Sequence, residues 1–187
     1  MNSNDIVAQV IQALDRIVIP HMLVGSYSSN MYGVSRSTGD ADFVVQLPND
    51  STRSLAAILG ADFHVDPQSV LKFNTFTTRF IVRHVVSAFT IELFLLSDDP
   101  HDQERFKRRV RVAFVDGNAW MPTAEDVVIM KLRWAQRAKR AKDREDAYNV
   151  LAVQRGKLDL DYMRRWCDLH GTRLLLDELL SKVPREF

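Results

Sequence analysis

The sequence predicts an α+β fold: a mixed β-sheet core flanked by helices, followed by a C-terminal helical bundle. Three observations predict it. Apolar residues recur at helical spacing near the N-terminus, short β-rich runs punctuated by Gly, Asp and Asn fill the middle, and only helical periodicity follows Pro122. The expected division is residues 1–121 as the α+β core and residues 122–187 as a helical region packed on it.

Each element has a local reason. Ile6, Val7, Val10, Ile11 and Leu14 lie on one helical face, with Ser3 or Asn4 as the cap. Met22-Leu23-Val24 reads as a buried strand running into a turn at Gly25-Ser26. Tyr27 to Tyr32 forms a short helix before the polar loop Gly33 to Gly39, and Asp40 to Leu47 is a second strand. Pro48-Asn49-Asp50 marks a turn, with Asp50 capping a helix over Ser51 to Leu59. Phe80 to Val86 and Phe89 to Leu96 are β-rich runs broken at Ser87-Ala88, which predicts a hairpin. Asp98 to Arg108 is a polar helical segment, and Asp116-Gly117-Asn118 joins two further strands, Val110–Val115 and Ala119–Met121. Thr123-Ala-Glu-Asp126 opens the helical half with an approximate capping box.

Composition narrows the function classes. The chain has 187 residues, 46% hydrophobic and 26% charged, which excludes a disordered tail protein. Lys plus Arg number 25 against 24 Asp plus Glu, so the molecule is not a strongly basic nucleic-acid binder and any basic surface is local. One cysteine, Cys167, excludes an internal disulfide and fits a reducing compartment. The N-terminus lacks a basic n-region, and no apolar run approaches the ~20 residues of a membrane span. The expectation is a soluble, cytoplasmic protein with no membrane partner.

The most informative residues are Leu23-Val24-Gly25-Ser26 followed by Thr38-Gly39-Asp40-Ala41-Asp42. Strand side chains alternate, so Asp40 and Asp42 point to one face. Two carboxylates that close repel each other, and a hard divalent ion such as Mg²⁺ would remove the repulsion. Gly25 permits a tight turn, and Ser26 offers a hydroxyl and an N–H near a helix start that favours phosphate. Glu92 is the third acid. It sits in Phe89-Thr90-Ile91-Glu92-Leu93-Phe94-Leu95-Leu96, the most apolar strand of the chain, where an uncompensated charge is costly. Together these are the parts of a two-metal phosphoryl-transfer site.

On these residues the chain resembles the DNA polymerase β-like nucleotidyltransferase superfamily: an apolar strand, Gly-Gly or Gly-Ser, a spacer, then Asp-x-Asp or Asp-x-Glu. Gly25-Ser26 and Asp40-Ala41-Asp42 match, and Glu92 stands at the later family acid, which is more often Asp. The C-terminal half, Pro122-Thr-Ala-Glu-Asp-Val-Val-Ile-Met-Lys131-Leu and then Lys142-Asp-Arg-Glu-Asp146, is similar to AbiEii-type toxin nucleotidyltransferases and their bacterial relatives.

The resemblance implies Mg²⁺ (or Mn²⁺) on Asp40, Asp42 and Glu92, which would also be the catalytic residues. It implies an NTP substrate and transfer of NMP to an acceptor: a tRNA, a protein hydroxyl or a small molecule. An antitoxin partner belongs to the toxin branch. Gly25, Ser26, Arg36, Lys131, Lys142 and Asp146 are the nucleotide-binding candidates. Lys142 and Asp146 share a helix face, and Lys131 joins them if the helix from Asp126 runs unbroken.

Each motif also has a plain structural reading. Asp40 and Asp42 would be strand-entry residues, Glu92 an outward strand residue, and Lys131, Lys142 and Asp146 ordinary helix charges. The run from Arg133 to Arg144 reads as a solvated face or as a footprint for RNA. Cys167 reads as core rather than nucleophile, and the five histidines lack metal-ligand spacing. No Walker-type loop and no Gly-x-Ser-x-Gly is present. The alternative function is a non-catalytic nucleotide- or RNA-binding protein, or a partner-binding protein, on the same fold. Trp134, Trp166 and Leu174-Leu175-Leu176 would then offer the partner surface.

Overall fold

A computed structural model describes residues 2–48, 51–72 and 77–184. The chain divides into two compact units, Met1–Ser26 with Thr38–Met121, and Tyr27–Ser37 with Pro122–Phe187. Residues 27–37 therefore belong to the same unit as the helices that follow Met121.

The first unit opens with α1 (Ser3–Arg16). Its cap is Asn2, one residue before the expected pair: Asn2 Oδ1 accepts from the Asp5 N–H, and the Asp5 carboxylate accepts from the Asn2 N–H. Ile6, Val7, Val10, Ile11 and Leu14 are all buried, as their spacing requires. The strands are β1 (His21–Val24), β2 (Asp40–Val45), β3 (Phe63–Val65), β4 (Val70–Lys72), β5 (Thr77–His84) and β6 (Thr90–Leu95). They form one mixed sheet in the order β1-β2-β6-β5-β3, with β4 also on β5. Helix α2 (Gly25–Tyr32) follows β1, and α3 (Ser51–Leu59) covers the span expected of it. Its proposed cap, Asp50, lies outside the described residues. β3 and β4 were not foreseen; each has only three residues, too few to show a period.

The pairing of β2 with β6 is parallel and that of β5 with β6 antiparallel. One face carries Ala41, Phe43, Val45, Ile91, Leu93 and Val82, all of them enclosed. The other face carries Asp40, Asp42, Thr90 and Glu92 at one end. On the same face Met22 and Val44 lie further along, Val24 pairs directly with Asp42, and these three pack with Phe106 of α4 (Pro100–Lys107). The acids thus border this small apolar cluster, with Val24 beside Asp42.

The hairpin of β7 (Val110–Phe114) and β8 (Gly117–Met121) completes the unit. Its turn is Val115-Asp116, one residue earlier than the expected Asp116-Gly117-Asn118, because Phe114 pairs with Gly117. Val115 takes the left-handed conformation that a two-residue turn demands.

The second unit contains α5 (Ala124–Ala138), α6 (Ala141–Val153), α7 (Leu160–His170) and α8 (Arg173–Lys182). Val128, Ile129, Leu132, Ala147, Val150, Leu151, Met163, Cys167 and Leu176 form its core. Burial pushes the Cys167 thiol up, in keeping with a packing role. Of the expected partner surface, Leu176 is core, Leu175 packs against it, and only Leu174 is largely exposed.

Helix α5 begins at a polar junction. Thr123 Oγ1 donates to Asp126 Oδ2 at 3.0 Å, and the Tyr162 hydroxyl donates to Asp126 Oδ1 at 2.7 Å. Asp126 is fully enclosed, so each donor offsets the cost of burying its charge. Tyr162→Phe is expected to destabilise the chain by about 1–3 kcal/mol. Urea unfolding beside the wild type measures it.

Candidate functional site

The β2–β6 register sets Asp42 directly beside Glu92 and Asp40 beside Thr90. Directly paired residues of adjacent strands share a face, so the three acids project on one side of the sheet. Like charges so placed are costly unless something compensates each.

Each acid has a neighbour that shapes it. Thr38 Oγ1 donates to Asp40 Oδ1 at 2.9 Å. Asp42 lies against Gly25, the first residue of α2: a Cβ on Gly25 would stand 2.1 Å from Asp42 Oδ2, and Gly25 has φ +64°. Both the contact and the backbone require glycine there. Ser26 follows, nearly buried at the start of the helix. Glu92 Oε2 accepts from Arg79 Nη1 at 2.5 Å. Arg79 sits on β5 opposite Phe94, on the same face as Glu92 and diagonal to it.

A hard divalent cation fits this donor set. The ligands offered are carboxylate oxygens in register on neighbouring strands, and Gly25 keeps the space beside Asp42 clear of a side chain. The fit is one of placement. Among the described residues, no three His, Cys, Asp or Glu side chains already stand at metal-binding distance of one another. The backbone brings the triad together, while Glu92 is ion-paired to Arg79.

The remaining candidates belong to the helical unit. Lys131 is buried between two carboxylates, with Nζ 3.0 Å from Asp143 Oδ1 and 2.7 Å from Asp146 Oδ2. Arg36 grips Asp146 in bidentate fashion, Nε to Oδ1 at 3.0 Å and Nη2 to Oδ2 at 2.9 Å. The Arg36 backbone is itself clamped by Asn30, whose Nδ2 donates to the Arg36 carbonyl at 2.7 Å and whose Oδ1 accepts from its N–H at 3.2 Å. Arg140 Nε stands 2.7 Å from Asp143 Oδ2, close enough to pair charges but not aligned for a hydrogen bond.

Lys142 does not join this cluster. The helix breaks at Lys139, which has φ 50°, so the single face required for Lys131 and Lys142 does not exist, and Lys142 is exposed. Asp143, one residue on, takes the inward place. Sequence reasoning missed Asp143 and Arg79. Asp143 was legible as the first acid of the Asp-x-x-Asp pair; Arg79 lies one residue before the expected strand Phe80–Val86, and only the β5–β6 pairing brings it to Glu92.

Burial alone would raise the Asp146 carboxyl, but hydrogen bonds from Arg36 and Lys131 more than offset it and hold it below its ordinary range. A depressed folded value stabilises the fold above the unfolded value, near 3.8, and that stabilisation is lost as pH falls through the lower folded value. The stability gap between wild type and Asp146→Asn should therefore narrow on acidification below about pH 4. Urea midpoints across pH test it. Gly25→Ala should cost about 1–3 kcal/mol through backbone strain alone and displace the Asp42 carboxylate. Urea unfolding reads the first effect and divalent-ion binding the second.

No family model matches the chain, and no curated protein matches it. Solved structures do. ANT(2″)-Ia in complex with adenylyl-2″-tobramycin superposes with a TM-score of 0.62 at 12% identity, covering 93% of this chain and 99% of that one. The solution structure of the antibiotic-resistance factor ANT(2″)-Ia gives a TM-score of 0.57 at 11% identity, covering 94% of each chain. An antigenic nucleotidyltransferase-like protein from Paracoccidioides brasiliensis gives 0.56 at 16% identity, covering 98% of this chain and 94% of that one. At these identities the likeness is one of fold, and the α+β fold of this chain is the one that these nucleotidyltransferase structures share.

Proposed function

We propose that this chain is a divalent-metal-dependent nucleotidyltransferase that moves an NMP from an NTP to the hydroxyl of an acceptor and releases pyrophosphate. The reading rests on one observation: Asp42 and Glu92 lie opposite each other across β2 and β6, with Asp40 on the same face and Gly25 leaving room at Asp42.

The roles follow from position. Asp40, Asp42 and Glu92 would hold Mg²⁺ or Mn²⁺, which when bound offsets the triphosphate charge and polarises the α-phosphorus. The Gly25-Ser26 turn would receive the β- and γ-phosphates through the Ser26 hydroxyl and the amides that open α2. The acceptor hydroxyl oxygen would attack the α-phosphorus while its bond to the bridging oxygen breaks. Pyrophosphate leaves, and Glu92 is the base that would take the hydroxyl proton.

Within the helical unit, the reading of Arg36, Lys131, Lys142 and Asp146 as nucleotide-binding residues is supported unevenly. Lys131 is enclosed by two carboxylates and Asp146 by two cations, so they serve to hold Arg36. Arg36 and Lys142 retain exposure for an anion.

The ANT(2″)-Ia structure with adenylyl-2″-tobramycin makes a small-molecule hydroxyl the first acceptor to test. A tRNA or protein acceptor and an antitoxin partner belong to the AbiEii-type reading, which rests on the Lys131 and Lys142–Asp146 motifs. Incubating the protein with labelled NTPs and lysate separates these by the molecule that acquires label. Asp42→Ala is expected to lower NMP transfer at least about 100-fold with the fold intact by circular dichroism. Calorimetry showing that wild type binds none of the four NTPs with Mg²⁺ or Mn²⁺ would overturn the reading. The second reading, a binding module without chemistry, draws on the Arg79–Glu92 ion pair, which already neutralises the third acid. NTP binding with no label transferred to any acceptor would favour it.

A further inference from the structure

Two arginine–carboxylate pairs in this chain are built differently. Arg36 meets Asp146 through both Nε and Nη2, a saturated fork reinforced by Lys131 on the same carboxylate. Arg79 meets Glu92 through Nη1, and its Nε is buried with no hydrogen-bond partner among the described residues. The Arg79 guanidinium also lies 5.9 Å from the centre of the Phe94 ring, a second and weaker resting contact. Both side chains are largely shielded, at 18% and 16% exposure, so neither charge is left to solvent. Glu92 is paired in register with Asp42, so a cation at this place also lessens the repulsion along the whole acidic face.

Building on the nucleotidyltransferase reading, we infer that Arg79 is a displaceable internal counter-cation. It holds the Glu92 carboxylate while no divalent ion is bound, and it must yield Glu92 for the ion to be held by all three acids. The carboxylate that Arg79 grips through Glu92 Oε2 is the one that would serve as the third ligand, so guanidinium and metal would compete for it. The one-armed contact suits such exchange, because a single hydrogen bond is given up and the Nε already lacks one. Anionic phosphate oxygens of an arriving triphosphate would be the alternative partner for the released guanidinium. Arg79 is thus a positioning residue acting through Glu92.

The test is Mn²⁺ binding to the full chain without nucleotide, followed by calorimetry and electron paramagnetic resonance. Arg79→Gln is expected to bind Mn²⁺ roughly tenfold tighter than wild type, the loss of a competitor worth one ion pair. Arg79→Met keeps an apolar stem against Phe94 and serves the same comparison if the glutamine variant misfolds. Adding Glu92→Gln to either should erase the gain. If Arg79→Gln and Arg79→Met bind Mn²⁺ no tighter than wild type, while Asp42→Asn weakens binding, the counter-cation inference is overturned and the metal site stands. If Asp42→Asn leaves Mn²⁺ binding unchanged in every background, the metal-site reading fails and takes the inference with it.

Discussion

The register between β2 and β6 is the constraint on which the rest of this structure turns. It places Asp42 against Glu92 on one face and Phe43, Ile91 and Leu93 on the other. A slip of one residue would send the carboxylates into the apolar layer and expose the core. The hydrophobic effect on one side of the sheet therefore enforces an electrostatic conflict on the other. The surrounding residues are arranged around that conflict: a missing side chain at Gly25, a hydroxyl on Asp40 from Thr38, and a guanidinium on Glu92 from Arg79.

The helical unit handles charge by the opposite strategy. Lys131, Asp143, Asp146 and Arg36 neutralise one another within a nearly closed network, and Asn30 ties the Arg36 backbone to it. Burying such a cluster is costly for each member and stable only when every partner is present. Its effect is to fix the course of the chain from Asn30 to Arg36, just ahead of the strand that carries Asp40 and Asp42.

Much of the fold was legible because burial imposes periods. The apolar stripe of α1, the strands around the acids and the helical character after Pro122 all follow from spacing that only one kind of element can bury. Asp40, Asp42 and Glu92 could be proposed as one set because alternation along strands and a charge in an apolar run are local signals. Arg79 was not legible, because its meeting with Glu92 depends on how β5 and β6 pair. Lys142 misled for a related reason. A stripe of small and basic residues looks continuous until one backbone position, Lys139, adopts a left-handed conformation and turns the next helix. β3 and β4 escaped notice since three residues cannot display alternation.

The path of the chain has a last consequence. Residues 27–37 leave the sheet's unit after Ser26, join residues more than a hundred positions later, and return at Thr38. Their anchors, the Gln154 amide on the Tyr32 carbonyl and Asp146 on Arg36, are encoded far downstream. A fragment ending at Met121 would keep the excursion and lose what holds it. The helical segment is accordingly no detachable cassette: truncation, gene fusion or domain exchange at that boundary would orphan the stretch that connects the Gly25-Ser26 turn to the paired aspartates.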